Sequence, residues 1–223
     1  MNENVEGFKE YLASNGVDEE CKRRAFDSSV FLAYWIMRHA HENQKRENGD
    51  YYETHPYKVL LNYRNLIGIG DDGDGIFDKD LMYKYNIPFD GVEEVCLLHD
   101  VIEDTELSLE DVRNIFVEYG FEKYFDMYIK DPLSRITHDK GDDYFEYIDN
   151  CLGNPISAIV KLCDLQDNLR VIDLIKFDED RLKRAKKYLT FAYILNNTYH
   201  FVENVNKYKK ELNKEEEWWN IIY

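Results

Sequence analysis

The densest concentration of reactive groups in this chain is the run LLHDVIEDT at residues 97–105. It holds one imidazole, His99, and three carboxylates, Asp100, Glu103 and Asp104. On a helix His99 and Glu103 stand one turn apart, and so do Asp100 and Asp104. At ~100° per residue all four fall within about 140° of arc, on one face. The residues just before them, Val95 to Leu98, are apolar and expected to be buried. Burying such a face without a counter-charge is costly. A divalent metal relieves that cost, because it accepts imidazole nitrogen and carboxylate oxygen together. Taken alone, the run also fits a solvated acidic face with an incidental histidine, and alone that plainer reading wins.

Two other segments shift the balance. In HENQKRENGDYYETHPYKV, residues 41–59, His55 opens a helix after a glycine-containing turn and after Lys45 and Arg46. A lone histidine in that place is more often a cap or a packing residue, and Lys45 and Arg46 read as ordinary surface charge. In VKLCDLQDNLR, residues 160–170, Asp164 and Asn168 share a helix face beside a leucine stripe. Asp164 follows the largely apolar run Ile159 to Cys163, so its carboxylate is expected to be partly buried rather than solvated.

The elements that must position these groups read as helices. Phe26, Val30, Ala33 and Met37 recur on one face and predict a helix over about 22–46. Tyr51 to Asn65 reads as a second, with Pro56 tolerated in its first turn. Residues 66–91 begin LIGIGDDGDGIFDKD and read as an acidic loop. An EF-hand alignment on Gly75 fails there, placing Gly70 and Leu81 at the first and last ligand positions. Val92 to Asp104 reads as a helix. Another runs from Ser108, with Asp111 at near-capping-box spacing, to Gly120. Short helices are expected at 121–129 and 142–151. Asn154-Pro155 starts one carrying Ala158, Leu162, Leu165 and Leu169. Asp178 opens a long helix to about 204, followed by a helical tail, 205–223, that ends in aromatics expected to dock on the domain or a partner subunit. No segment reads as a strand and no linker divides the chain. The expectation is a single all-α domain, 1–223, with its core at about 25–204.

Composition narrows the function classes. The formal charge of −17 repels nucleic-acid phosphates, so no nucleic-acid partner is expected. It also opposes an anionic small molecule unless a metal or a local basic patch reverses the field. The four cysteines have no CxxC spacing and read as reduced thiols. No signal-peptide pattern is present, and no apolar run approaches the ~20 residues that span a bilayer. A cytoplasmic protein with no membrane partner is expected; homo-oligomerisation is left open.

The three segments, in this order, resemble the hydrolase domain of the Rel/SpoT family and the small alarmone hydrolases, within the HD superfamily of metal-dependent phosphohydrolases. The matching residues are His41, Gln44, Arg46, Gly49, Tyr52, His55 and Pro56, then Leu97 to Thr105, then Lys161, Leu162, Asp164 and Asn168. The set covers about residues 25–200. The resemblance implies a helical bundle with a metal held between helices by His55, His99, Asp100 and Asp164, with Mn²⁺ the typical ion. It implies that Glu103 and Asp104 position and deprotonate the attacking water. Lys45, Arg46, Lys161 and Asn168 would contact the nucleotide. The implied reaction is removal of the 3′-pyrophosphate from guanosine tetra- or pentaphosphate. This is sound chemistry: a bound ion lowers the pKa of water and neutralises phosphate charge, and a carboxylate one turn away accepts the proton. The chain departs from the family at Glu47, where lysine is frequent, and at Val171, where a polar residue is usual. Its loop at 66–91 is longer and more acidic than the usual connection. Alternative readings are a phosphohydrolase acting on another nucleotide or phosphoester, a non-catalytic nucleotide-sensing module, or a helical interaction protein that uses its aromatic tail.

Overall fold

The computed structural model describes residues 3–17, 28–46, 49–70, 75, 77–138, 141, 143–172 and 178–222, with side chains through 213. Val5, Phe8 and Leu12 recur at i, i+3 and i+7, and Glu3–Ser14 is a helix, α1, that buries all three. Glu3, Glu6 and Glu10 interleave with that stripe and mask it in the sequence.

Helix α2 (Ser29–Ala40) buries Leu32, Ala33, Ile36 and Met37. It stops six residues before the expected end, and residues 22–27 lie outside the described residues. His41 ends the helix, Asn43 adopts φ 65°, and Lys45 forms an isolated bridge with Tyr51. The Gln44 side chain supplies a reason. Its amide donates to the Asp104 carbonyl at 3.1 Å, and its oxygen accepts from His41 Nδ1 at 2.9 Å. The turn anchors this segment to the reactive run.

Helix α3 (Thr54–Ile67) lies close to its expected span. The stretch read as loop contains a short helix, α4 (Lys79–Lys84), where the Asp78 carboxylate accepts from Leu81 N at 2.9 Å and Leu81 and Met82 are buried. Residues 71–74 and 76 of that loop lie outside the described residues.

The helix expected over 92–104 is two, α5 (Val92–Leu98) and α6 (Val101–Asp104). His99 and Asp100 nonetheless keep right-handed backbone, and Asp104 N still donates to Asp100 O at 2.9 Å. The one-turn relation between those two carboxylates therefore survives the pause. Gly91 precedes α5 at φ 80°, and a Cβ there would sit 2.6 Å from the Tyr128 carbonyl oxygen. Glycine alone lets α5 come so close to its neighbour.

Helix α7 (Leu109–Glu118) starts with the expected Ser108–Asp111 capping box. The short helix expected to end at 129 continues: α8 (Glu122–Tyr124) runs through a π turn, Phe125–Ile129, into α9 (Lys130–Ile136). Helix α10 (Tyr144–Leu152) follows, then α11 (Pro155–Val171), capped by Asn154 through Ile156 N at 2.8 Å. Of the expected stripe, Ala158 and Leu165 are buried while Leu162 and Leu169 are half-buried. The long helix expected after Asp178 is α12 (Glu179–Tyr199) and α13 (Phe201–Ile222), separated by His200 at φ 54°.

Helices α3, α5 and α11 pack against one another pairwise. Arg64 of α3 grips Glu93 of α5 through two contacts of 2.7 and 2.8 Å. Asn62 of α3 donates to the Cys163 carbonyl of α11 at 3.0 Å. Helix α12 lies along α11, and α13 lies against α3 and α4 with Phe201, Val205 and Tyr208 buried. The architecture is all-α, as expected. Among the described residues no strand forms, and no helix is long and apolar enough to cross a membrane.

Candidate metal centre and active site

The first turn of α3, the α5–α6 junction and the middle of α11 meet at one point. His55, His99 and Asp164 are buried there, and Asp100 is half-buried. His55 Nε2 lies 3.1 Å from Asp164 Oδ1 and 3.5 Å from Asp100 Oδ2. His99 Nε2 lies 3.2 Å from Asp100 Oδ1 and 3.8 Å from Asp164 Oδ1. His55, His99 and Asp100 each offer one ligand atom within 4.8 Å of the others, and the contacts of Asp164 place its Oδ1 beside them.

The tautomers follow from the second ring nitrogens. His99 Nδ1 donates to the Cys96 carbonyl at 2.9 Å, which leaves Nε2 as a lone pair. That atom is buried and has no hydrogen-bond partner. A lone pair buried among carboxylate oxygens repels them unless a proton or a cation lies between. On His55, Nδ1 is 2.7 Å from Asp167 Oδ2, so it donates there and Nε2 faces Asp164 and Asp100.

Without a metal, the cradle balances itself with protons. Burial works against a charged His55, but hydrogen bonds to Asp164 and Asp167 and the charges of Asp100 and Asp164 outweigh it and raise its pKa to about 9. Burial also opposes ionisation of Asp164. The Lys161 ammonium, 2.7 Å away, and the His55 hydrogen bond nonetheless hold its pKa well below the usual carboxylate range. Asp100 is lowered in the same way, against burial, by His99 and His55. Two imidazole nitrogens and two carboxylate oxygens, one of the nitrogens without a partner, are a donor set that fits a divalent cation.

The other two carboxylates lie beside this cradle. Glu103 is half-buried, burial pushes its pKa up, and its Oε2 accepts from His138 N at 3.1 Å. Asp104 is exposed. The Tyr52 hydroxyl lies 2.5 Å from Asp104 Oδ2 and 2.8 Å from Asp100 Oδ2, so one phenolic proton serves both carboxylates. Both Glu103 and Asp104 line a cleft of about 470 Å³ with Asn4, His39, Gln44 and Glu106.

No protein-family model matches the chain. Over 155 residues it is 26% identical to a guanosine-3′,5′-bis(diphosphate) 3′-pyrophosphohydrolase of Aquifex aeolicus, covering 70% of this chain and 19% of that protein. Over 151 residues it is 26% identical to the bifunctional (p)ppGpp synthase/hydrolase SpoT of Escherichia coli, covering 67% of this chain and 19% of that protein. The chain thus matches about a fifth of the length of these curated relatives. A solved structure described as a metazoan ortholog of SpoT that hydrolyses ppGpp superposes with a TM-score of 0.51 at 22% identity. It covers 85% of this chain and 96% of its own, a likeness of fold. The chain is thus similar in sequence to Rel/SpoT-type proteins and in fold to a SpoT ortholog.

Within this fold, the four residues expected as ligands come together, and most of the residues expected to contact the nucleotide surround them. Asn168 Nδ2 donates to Asp164 Oδ1 at 2.6 Å, and Lys161 pairs with the other oxygen of the same carboxylate. The Arg46 guanidinium forks onto Asp167 and Asn168, both at 3.1 Å. Lys45 stands apart: it is exposed, with its ammonium 5.1 Å from the centre of the Tyr51 ring. Glu47 lies outside the described residues.

Sequence reasoning missed three features of the site. Asp167 falls at an unspecified position of the third motif, and its only signal was the i, i+3 spacing from Asp164. Tyr52 was matched in the first motif without a role. On α12, Lys187 covers the Tyr144 ring at 3.9 Å. Burial lowers its pKa, and the charges of Lys161 and Arg184 lower it further. With Tyr188, which feels the Asp164 charge, these residues bring a basic and aromatic wall toward the cradle.

Proposed function

We propose that this chain is a metal-dependent nucleotide phosphohydrolase of the HD type acting in the cytoplasm, and that its substrate is guanosine tetra- or pentaphosphate, cleaved at the 3′-pyrophosphate. The observation that carries the metal reading is the buried, unpartnered Nε2 of His99 facing His55, Asp100 and Asp164. The names of the relatives support the substrate.

His55, His99, Asp100 and Asp164 would hold the ion, with Mn²⁺ as the specific expectation. Bound there, a divalent ion would supply charge neutralisation at phosphate oxygens and lower the pKa of water. The protein's own groups do the rest. Glu103 has a pKa raised by burial, which suits a carboxylate that takes a proton from attacking water. Asp104, tied by Tyr52 to Asp100, orients that water. Water oxygen would bond to the phosphorus attached to the 3′-oxygen as its proton passes to Glu103, that P–O bond would break, and the 3′-alkoxide would take a proton from solvent as pyrophosphate leaves. Arg184 and Lys187 lie near enough to Lys161 for their charges to be felt, and this positive charge would favour approach of a polyanion to a chain whose formal charge is −17.

One observation favours a second reading, a phosphohydrolase for a less highly charged nucleotide or phosphoester. Both arms of the Arg46 fork are already taken by Asp167 and Asn168, and Asp167 offsets its charge. The deciding experiment strips the protein with chelator and reloads it with Mn²⁺. It is then offered guanosine tetraphosphate, ordinary nucleoside mono-, di- and triphosphates and NADPH, with products separated by anion exchange. Pyrophosphate released from the tetraphosphate alone supports the leading reading. Cleavage of another compound reassigns the substrate, and no turnover on any removes the enzymatic reading for this panel.

A further inference from the structure

The two buried histidines of the cradle are held differently. His99 leans on a neutral backbone carbonyl of its own helix, Cys96 O. His55 leans on a charged carboxylate from another helix, Asp167 Oδ2 at 2.7 Å. Asp167 is 1% exposed, one turn beyond Asp164 on α11. The same oxygen also lies 3.1 Å from Arg46 Nη1. A carboxylate this deeply buried is retained only where fully partnered. Its partners are one cradle imidazole and the arginine of the adjoining pocket.

From this arrangement we propose that Asp167 is a positioning residue for the metal centre. It fixes His55 as the Nδ1–H tautomer, aims Nε2 at the ion, increases the ring's donor strength, and joins that ligand to Arg46. The proposal rests on the reading of His55 as a metal ligand. The basis is general: a metal-binding imidazole almost always donates its other ring N–H to an acceptor that fixes its tautomer, and a charged acceptor polarises the ring more than a neutral one. His99 serves as an internal reference, because its backbone acceptor is unchanged by any side-chain substitution. Arg46 gives Asp167 a second role. A substrate that draws Arg46 toward itself frees the Asp167 oxygen to interact with His55 alone, so occupancy of the pocket and grip on the ion are linked through one carboxylate.

The test measures Mn²⁺ dissociation constants of chelator-stripped protein from the free-ion electron paramagnetic resonance signal. The proteins are wild type, Asp167→Asn, Asp167→Ala and His55→Ala. Folding of each apoprotein is checked by its melting transition. Removing an outer partner of a metal-bound histidine costs about 10–100-fold in affinity. The expected result is a loss of that size in Asp167→Ala, a smaller loss in Asp167→Asn, which keeps an acceptor, and abolished binding in His55→Ala. In parallel, ¹⁵N spectra of the zinc-loaded protein should show Nδ1–H on His55, with that proton signal shifted in Asp167→Asn and the His99 signal unmoved. A purely structural role for Asp167 would not change one imidazole and spare the other. Wild-type Mn²⁺ affinity in Asp167→Ala, alongside lost binding in His55→Ala, overturns the proposal and leaves the ligand set standing. Full binding by His55→Ala overturns the ligand set and the role of Asp167 with it.

Discussion

The cradle and the outer face of α12 use charge in opposite ways. In the cradle, His55, His99, Asp164 and Asp167 are each no more than 3% exposed and lie within one web of short polar contacts. On α12, Lys183 pairs with Glu179 and Asp180 in open solvent, while Leu189 and Tyr193 stand 59% and 70% exposed nearby. An exposed pair contributes ~0–1 kcal/mol and is screened by salt. A buried ion costs several kcal/mol unless every group around it is satisfied. The charges of α12 keep a surface wet. The charges of the cradle are tolerated only because each is held by the others, and such departures from local consistency concentrate at functional sites.

The largest effect should come from breaking the cradle at Asp164. Asp164→Ala removes the carboxylate that Lys161, Asn168 and His55 share. It leaves the Lys161 ammonium buried over the Tyr147 ring without its counter-charge. The expected cost is about 3–5 kcal/mol of stability, together with loss of bound metal, read by denaturant melts of metal-free protein and by elemental analysis. A variant that keeps a full equivalent of metal removes Asp164 from the ligand set.

The next effect should leave the cradle intact and stop the chemistry. Glu103→Gln combined with Asp104→Asn keeps size and hydrogen bonding and removes both proton acceptors. Turnover on the cleaved substrate should fall by about 10²–10⁴-fold with metal content unchanged. Undiminished hydrolysis would show that neither carboxylate is the base.

These two experiments also mark what was legible in the sequence. That His55, His99, Asp100 and Asp164 converge was legible from the order of three short motifs and the resemblance they carry. His55 lies in the first turn of α3, His99 and Asp100 at the α5–α6 junction, and Asp164 in the middle of α11. The interior partners were not readable. Asp167 acquires its meaning from His55 and Arg46, which are 112 and 121 residues away in the chain. Lys187 acquires its meaning only once α12 lies along α11. Helix boundaries failed for related reasons. The pause at His99–Asp100 and the left-handed residue at His200 interrupt helices whose apolar spacing continues across them. Helix α1 is hard to read because polar and acidic residues interleave with its buried Val5, Phe8, Tyr11 and Leu12.

A smaller and reversible effect separates the two regions by pH. In metal-free protein His55 titrates at about 9, above its ordinary value of about 6.5. Its contribution to stability is therefore fully present below about 6.5 and is lost as pH rises through about 9. A metal needs the neutral ring, so binding releases that proton. Mn²⁺ affinity should rise about tenfold per pH unit toward that point and then level off. Over the same interval the melting temperature of metal-free protein should decline. An affinity that is flat between pH 6.5 and 8.5 would mean that His55 is already neutral in the free cradle.

The smallest effect belongs to α12 and is the sharpest check on the comparison, because the expected answer is nearly nothing. Lys183 lies 3.1 Å from Glu179 and 3.9 Å from Asp180, both on its own helix and both exposed. Lys183→Ala loses those contacts, yet alanine is at least as good a helix former as lysine. The two terms oppose each other, and the net change should stay within ~0.5 kcal/mol. It should shrink further as salt is added. A loss above ~1 kcal/mol that persists in high salt would mean that Lys183 is not simply solvated and that this face of α12 is covered in solution. In that case exposure in the single chain would no longer separate the two regions. The exposed Leu189 and Tyr193 would then be the first residues to test for contact with a second copy of the chain.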